Sequence, residues 1–333
     1  MIRFGLCCVF FKEPIKFRTT TAKYLRALTS KERRLKLAAL CLTNARELQK
    51  AAEFCVASGI GCFRVNSGIL PLKTYPPYAY QLADLPGGKT IQNEFVRTGL
   101  YAREKGLRFS FHPDQFVLLS SERQDVTRQS VAELEYQAEV SEWIGADVIN
   151  IHGGGAYGDK VSALSRLTTR LKKLSSRIRT RLTLENDDRV YTPKDLLPLC
   201  DKMGIPLVYD VHHHRCLADG LTSEQATQAA LRTWDREPLF HLSSPREGWK
   251  SKTPQYHHDF IDKKDFPKFW YGLDITVEIE AKAKEVAVKR LMEQMGESGN
   301  PPPRKLRRAG TSLNSGGMQP FPIKGCIHGI ARN

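Results

Sequence analysis

The stretch that decides the fold reads Asp147-Val148-Ile149-Asn150-Ile151-His152-Gly153, a short apolar run that ends on a histidine. Asn150 and His152 alternate with Ile149 and Ile151, so a β-strand here would have one polar face and one apolar face. Seven further runs of similar length occur along the chain, over residues 2–10, 61–67, 107–113, 181–187, 205–214, 238–244 and 273–281. The sequence therefore predicts eight strands.

Segments with helical periodicity separate these strands, for example over residues 43–58, 128–145 and 163–178. Thr43 and Thr127 are the expected N-caps, and Gly59 and Gly145 the expected helix ends. Eight strand-then-helix units over about 290 residues predict an α/β fold of the (β/α)₈ TIM-barrel type. An open doubly wound sheet is the alternative, but the glycine-rich phosphate loop typical of it does not follow an early strand.

Composition and charge indicate the class of partner. The 333 residues include 51 Lys+Arg and 36 Asp+Glu, a net charge of +15. Such an excess favours a polyanion, most commonly nucleic acid, although a basic surface that only aids solubility is the alternative. No apolar run approaches the roughly 18 residues of a membrane span. The N-terminal segment lacks a signal-peptide cleavage site, so we expect a cytoplasmic protein without a membrane partner.

The chain divides by composition into two parts. Residues 1–297 carry the strand and helix pattern, whereas residues 298–333 are rich in Pro, Gly, Ser and Arg and contain no acidic residue. We expect a disordered basic tail here, serving either as a spacer or as a phosphate-binding arm. The eight cysteines form no CxxC pair, which predicts reduced thiols in the core.

The third to eighth predicted strands each carry a titratable residue at or near the C-terminal end. These residues are His112, His152, Glu185, Asp210 with His212, His213 and His214, His241, and Glu280. In a barrel such ends converge on one mouth, where active sites are built. Burying so many unpartnered groups would cost several kcal/mol each, so a cluster of cations is expected.

The types of ligand limit which metal ions and which class of reaction are expected. His nitrogens with carboxylates and without thiolates suit Zn²⁺, Mn²⁺ or Fe²⁺ better than Mg²⁺ or Ca²⁺. The number of ligands exceeds what one ion takes, so we expect two or three divalent ions. Metal centres of this kind activate water for attack on phosphate, and together with the basic charge they predict phosphodiester hydrolysis.

Several segments resemble the signature blocks of the UV damage endonucleases. They are His112-Pro113-Asp114-Gln115-Phe116, residues 151–158, residues 184–189, residues 209–214, residues 240–244, residues 256–260 and residues 278–282. The resemblance implies a TIM barrel related to endonuclease IV. It also implies a multinuclear metal site that most often holds Mn²⁺, and Zn²⁺ is the alternative. It implies a DNA repair endonuclease that cuts damaged double-stranded DNA 5′ of a UV photolesion and leaves a 3′-hydroxyl.

The resemblance also implies roles for single residues. The expected ligands are His112, His152 and Glu185 for a first ion, Glu185, Asp210, His241 and Glu280 for a second, and His213 and His257 for a third. Glu185 would bridge two ions and hold the attacking hydroxide. His258 is an alternative to His257, Glu278 to Glu280, and His212 or His214 to His213. The expected lesion and DNA contacts are Gln115, Phe116, Tyr157 and Asn186.

The chain departs from the family pattern in places. Phe116 follows Gln115 where the family has Gln-Tyr, Leu6 and Phe10 replace a Tyr and an Asn, and Leu239 replaces a Lys. Two other functions stay open, a metal-dependent sugar isomerase or epimerase on a xylose-isomerase-like barrel and a protein that binds damaged DNA without cutting it. We expect a monomer with no obligate protein partner.

Overall fold

The computed structural model describes residues 1–296, and the predicted tail at 298–333 lies outside these residues. The eight strands are β1 Ile2–Cys7, β2 Cys62–Val65, β3 Arg108–Phe111, β4 Val148–His152, β5 Leu182–Glu185, β6 Leu207–Val208, β7 Leu239–Leu242 and β8 Ile275–Ile279. The α-helices of the described part are α1 Ala22–Arg26, α2 Ser30–Ala57, α3 Gly88–Lys105, α4 Gln124–Ile144, α5 Lys160–Leu171, α6 Ser176–Arg179, α7 Pro193–Met203, α8 Val211–Cys216, α9 Ser223–Arg232 and α10 Lys284–Gly296.

The strands form one parallel sheet that curves into a nearly closed barrel. Their order is β6-β5-β4-β3-β2-β1-β8-β7, and each neighbouring pair is parallel. An isolated parallel bridge between Asp210 and His241 joins the two outer strands just beyond the end of β6. The predicted (β/α)₈ barrel is confirmed, and each of the eight predicted runs contains one observed strand.

The two faces of each strand divide as the alternation predicts. Phe63, Phe109, Ile149 and Leu184 belong to the main apolar core together with the buried residues of the helices. The alternate positions point into the barrel, where polar groups dominate the C-terminal end. Near the N-terminal end, a small separate apolar cluster contains Val148, Val208 and Leu239, so Leu239 lies buried below His241.

Two predicted helix starts are wrong. Helix α2 begins at Ser30, because Thr29 and Glu32 form a capping box, and Thr43 lies inside it with its hydroxyl bonded to Ala39 O. Helix α4 begins at Gln124, so Thr127 lies in its first turn and bonds to the carbonyl of Arg123. A threonine hydroxyl can bond the carbonyl four residues earlier, which lets it sit within a helix.

The sixth strand is shorter than predicted. It ends at Val208, and Asp210 caps helix α8 by accepting a hydrogen bond from His213 N at 2.8 Å. The three consecutive histidines therefore lie on a helix and point in different directions, which strand alternation could not predict.

Two further expectations concern the described residues 1–296 as a whole. Their seven cysteines are free thiols, and Cys8 and Cys216 are half-buried while the others are buried. No helix in this part of the chain has the length and apolar character needed to cross a membrane.

Candidate metal centre

Histidines and carboxylates from six strand ends meet at the C-terminal mouth of the barrel. Three groups there each bring potential ligand atoms within 4.8 Å of one another. The groups are His112, His152 and Glu185; Glu185, Asp210 and His213; and Asp210, His241 and Glu280. They share members, so they form one continuous cluster, and seven of the eight predicted ligands belong to it.

Glu185 lies at the middle of this cluster, fully buried. Its Oε2 lies 3.0 Å from His112 Nε2, and its Oε1 lies 3.0 Å from His241 Nδ1. Asn150, one layer deeper on β4, donates to Oε2 at 2.5 Å and fixes the carboxylate from below. Each carboxylate oxygen of Glu185 therefore faces a different histidine, which is the arrangement that a bridging ligand requires.

Burial and mutual charge set the protonation of the cluster. Burial opposes a charge on His241, but Glu185 and Glu280 outweigh it and raise the pKa of His241 to about 10. Burial also opposes ionisation of Glu185, yet His241 and His152 hold its pKa well below the usual range. In His152, burial prevails and lowers the pKa. At neutral pH Glu185 is therefore ionised and His152 is neutral, the forms in which both bind metals. His241 is protonated in the metal-free protein and would release that proton on binding a metal.

Two buried polar atoms without hydrogen-bond partners indicate whether a metal fits this site. Asp210 Oδ2 and His152 Nδ1 are buried and have no hydrogen-bond partner among the described residues. Buried polar atoms are rarely left unsatisfied, and both residues belong to the groups above. Nitrogen and oxygen donors without a thiolate suit divalent ions such as Mn²⁺ or Zn²⁺. The residues present therefore fit a divalent metal cluster.

The eighth predicted ligand, His257, lies at the edge of the cluster. Its Nδ1 is 3.7 Å from Glu280 Oε2, and its ring centre is 6.3 Å from that of His213. The alternative, His258, turns away, because its Nδ1 accepts a hydrogen bond from Phe260 N at 2.9 Å. This geometry favours His257.

The histidines beside His213 have other surroundings. His214 contacts Tyr209 Oη at 2.8 Å and Asp219 at 2.9 Å, so both of its ring nitrogens are engaged. His212 is buried with its ring centre 5.0 Å from that of Trp249. Neither of its ring nitrogens has a hydrogen-bond partner among the described residues, but it belongs to none of the three groups, whereas His213 does. The geometry therefore favours His213 as the ligand on this helix.

Two exposed aromatic side chains stand on the rim of the same mouth. Phe116, beside the exposed Gln115 in the β3–α4 loop, is 72% exposed, and Tyr157 in the β4–α5 loop is 40% exposed. Ser120 Oγ donates to Gly155 O at 3.3 Å and ties the two loops together. Arg166 donates to Ser120 O at 3.0 Å and places its guanidinium over the Tyr157 ring. The rim is therefore a braced pair of loops carrying aromatic side chains.

Comparison with known proteins places the chain in a family. The family model described as UV-endonuclease UvdE matches residues 2–301. The chain belongs to this family. The UV DNA damage endonuclease of Bacillus velezensis is 34% identical over 311 residues, covering 89% of this chain and 94% of that protein.

Solved structures agree with this assignment. The crystal structure of SacUVDE, 28% identical, superposes with a TM-score of 0.79 over 90% of this chain and 99% of that chain. Endonuclease IV from Thermus thermophilus superposes with a TM-score of 0.59 at 15% identity, covering 89% and 98% of the two chains. At that identity the likeness to endonuclease IV concerns the fold alone.

Asn186 differs from the other expected DNA contacts of this UvdE-family chain. It is fully buried, its Nδ2 donates to Asp210 O at 2.9 Å, and its Oδ1 accepts from Asp210 N at 3.0 Å. These bonds occupy the side chain inside the protein. A contact with DNA stays a prediction that this geometry does not favour, and positioning of Asp210 is the role that it supports.

Sequence reasoning missed Arg64. This β2 side chain is nearly buried and forms ion pairs with Glu278 and Glu280 inside the barrel. The signal was present in the sequence as an arginine between apolar residues in a predicted strand, Cys62-Phe63-Arg64-Val65. A charged residue at such a position requires a buried partner.

Proposed function

We propose that this chain is a metal-dependent endonuclease that cuts double-stranded DNA on the 5′ side of a UV photolesion and leaves a 3′-hydroxyl. The observation that carries this proposal is the ligand cluster centred on Glu185, in a chain of the UvdE family. The expected ions are two or three in number, most often Mn²⁺, with Zn²⁺ as the alternative.

The ligand residues have a defined task in this reaction. His112, His152 and Glu185 would hold one ion, Glu185 with Asp210, His241 and Glu280 a second, and His213 with His257 a third. When bound, such ions supply an acidified water and neutralise charge on the phosphate. Asn150 keeps Glu185 in one orientation, so the bridge requires little reorganisation during the reaction.

The braced rim would select the damaged strand. Phe116 is large, apolar and mostly exposed, which makes it suited to insert between bases, with Gln115 beside it and Tyr157 on the neighbouring loop. A photolesion weakens stacking and pairing, so displacing it from the duplex costs less than displacing undamaged bases. The excess of basic residues favours docking on the phosphate backbone.

The alternatives explain less of the molecule. A sugar isomerase or epimerase has no need of an exposed aromatic wedge or a strongly basic surface. A protein that only binds damaged DNA has no need of three carboxylates gathered at the mouth, Glu185, Asp210 and Glu280. We propose that the enzyme acts as a monomer.

A nicking assay tests the proposal. Purified protein with Mn²⁺ is incubated with an end-labelled duplex that contains one cyclobutane dimer, and the same undamaged duplex is the control. We expect one nick immediately 5′ of the lesion, an end that a DNA polymerase can extend, and loss of nicking with EDTA. A protein that holds its metal and nicks neither a dimer nor a 6-4 photoproduct would overturn the proposal.

A further inference from the structure

Arg64 is a cation placed among the carboxylates of the predicted metal centre. Its Nη1 donates to Glu280 Oε1 at 2.6 Å, and its Nε donates to Glu278 Oε2 at 2.6 Å. Its Nη2 lies 2.8 Å from His241 Nε2. Its side chain is only 8% exposed, so these contacts form away from solvent. One guanidinium thus contacts two residues of the predicted ligand set, Glu280 and His241.

Glu278 holds Arg64 from below. Its Oε1 accepts a hydrogen bond from Ser110 Oγ, while its Oε2 contacts Arg64 and lies 3.1 Å from His241 Nε2. The space around the Glu278 side chain is closely packed, because a Cβ on Gly5 would lie 3.0 Å from Glu278 Cγ. Both oxygens of Glu278 are therefore engaged one layer beneath the cluster, which argues against Glu278 as a ligand.

The same contacts orient His241. Its Nε2 faces Arg64 and Glu278, and its Nδ1 faces Glu185 at 3.0 Å and Glu280 at 3.5 Å. For Nδ1 to bind a metal, Nε2 must carry the ring proton and donate it to Glu278 Oε2, because Arg64 has no acceptor atom. A carboxylate partner of this kind commonly fixes which histidine nitrogen faces a metal, and its loss typically weakens metal affinity. A lysine could not reproduce this arrangement, because it offers one point charge in place of a planar fork.

We propose that Arg64 is a positioning residue of the metal centre. It fixes Glu280 directly and His241 through Glu278, and it holds the two carboxylates together in the metal-free protein. This inference rests on the proposed metal-dependent function. It assigns to Arg64 a role that is distinct from metal ligation and from contact with DNA.

The test compares Arg64→Met with Arg108→Met by two measurements on the purified proteins. Arg108 is a matched control, because it is also nearly buried inside the barrel but pairs with Asp147 at the opposite end. We expect both variants to lower the melting temperature of the metal-free protein. Only Arg64→Met should weaken Mn²⁺ binding in calorimetry, by roughly tenfold to a hundredfold, and it should lower the number of ions retained in elemental analysis.

Arg64→Lys and Glu278→Gln keep the proposal testable if Arg64→Met does not fold. We expect each of them to fold and to bind Mn²⁺ more weakly than the wild type. Arg64→Lys loses the planar guanidinium, and Glu278→Gln loses the carboxylate that holds it. The inference would be overturned if Arg64→Met bound Mn²⁺ at least as tightly as the wild type. It would also be overturned if both milder variants, Arg64→Lys and Glu278→Gln, did so. If the wild type binds no divalent ion, the proposed metal-dependent function is contradicted, and the inference about Arg64 falls with it.

Discussion

Asn186 and Asp210 hold each other through a reciprocal pair of hydrogen bonds between the Asn186 side chain and the Asp210 backbone. Nδ2 donates to Asp210 O at 2.9 Å, and Oδ1 accepts from Asp210 N at 3.0 Å. The pair fixes the chain where β6 ends and α8 begins, so it sets the position of a carboxylate shared by two groups of the cluster.

We therefore predict that Asn186→Ala weakens Mn²⁺ binding by roughly tenfold or more, the usual cost of losing a residue that supports a ligand. Calorimetric titration with Mn²⁺ measures it. Gln115→Ala is the control, because this exposed side chain should affect damaged DNA and leave metal affinity unchanged. The opposite pattern, with Asn186→Ala impaired only toward DNA, would restore the expectation of a direct DNA contact.

A second prediction separates the neighbouring histidines. His257→Ala should lose one ion from the purified protein, because Nδ1 of His257 faces Glu280 at 3.7 Å. His258→Ala should keep the full number of ions, since its Nδ1 is bonded to the Phe260 backbone. Elemental analysis of both variants after dialysis gives the ion count. Loss of an ion in His258→Ala alone would reverse the assignment.

A third prediction concerns the exposed aromatic side chain of the rim. Phe116→Ala should weaken binding to a duplex with one cyclobutane dimer by about tenfold, since stacking of one base contributes about 1–3 kcal/mol. Fluorescence anisotropy with and without the lesion measures it. Tyr271→Ala, an exposed aromatic residue just before β8 and so at the other end of the barrel, should bind as the wild type does. Equal losses on damaged and undamaged DNA would show that Phe116 does not recognise the lesion.

A fourth prediction concerns the pH dependence of stability, away from the cluster. Burial opposes ionisation of Glu237, but hydrogen bonds from Arg3 at 2.8 Å and Thr276 at 2.5 Å outweigh it and lower the pKa of this carboxyl. Because the folded pKa lies below the unfolded value of about 4.3, the ionised form stabilises the fold. This contribution is complete above that value and is lost as the pH falls through the folded pKa.

Glu237→Gln in EDTA should therefore be less stable than the wild type by about 1–2 kcal/mol at pH 7. The difference should shrink below about pH 4. Urea unfolding at several pH values measures it. Asp235→Asn is the control, because Asp235 is highly exposed and should have little effect. A difference that grows on acidification would contradict a stabilising role for the ionised carboxylate.

The sequence predicts the barrel and most of the cluster because both follow from strand alternation. His112, His152 and Glu185 each end or follow a strand whose polar face points inward, and parallel strands bring such ends together. The same alternation fails after Asp210, where the chain turns into a helix. The order Asp210, Val211 and then three histidines fits either a strand end or a helix start, so local pattern alone does not decide between them.

The role of Arg64 and the buried contacts of Asn186 were not predicted, for a different reason. Their roles depend on residues far away in sequence, Glu278 and Glu280 for Arg64 and the Asp210 backbone for Asn186. The register of β1, β2 and β8 brings Arg64 to Glu278 and Glu280. The pairing of β5 with β6 brings Asn186 to the Asp210 backbone. The sequence marks Arg64 as a charge in a predicted strand, but which residues pair with Arg64 and Asn186 is decided by tertiary packing.

The most direct test of the central claim is the rate constant of nicking at a single cyclobutane dimer in Mn²⁺ for Glu185→Gln against the wild type. Glu237→Gln serves as the folded control at neutral pH. If Glu185 organises the cluster that cuts DNA, its variant should bind the damaged duplex normally but nick it at least about 10²–10³-fold more slowly. A Glu185→Gln variant that nicks at the wild-type rate would contradict the account.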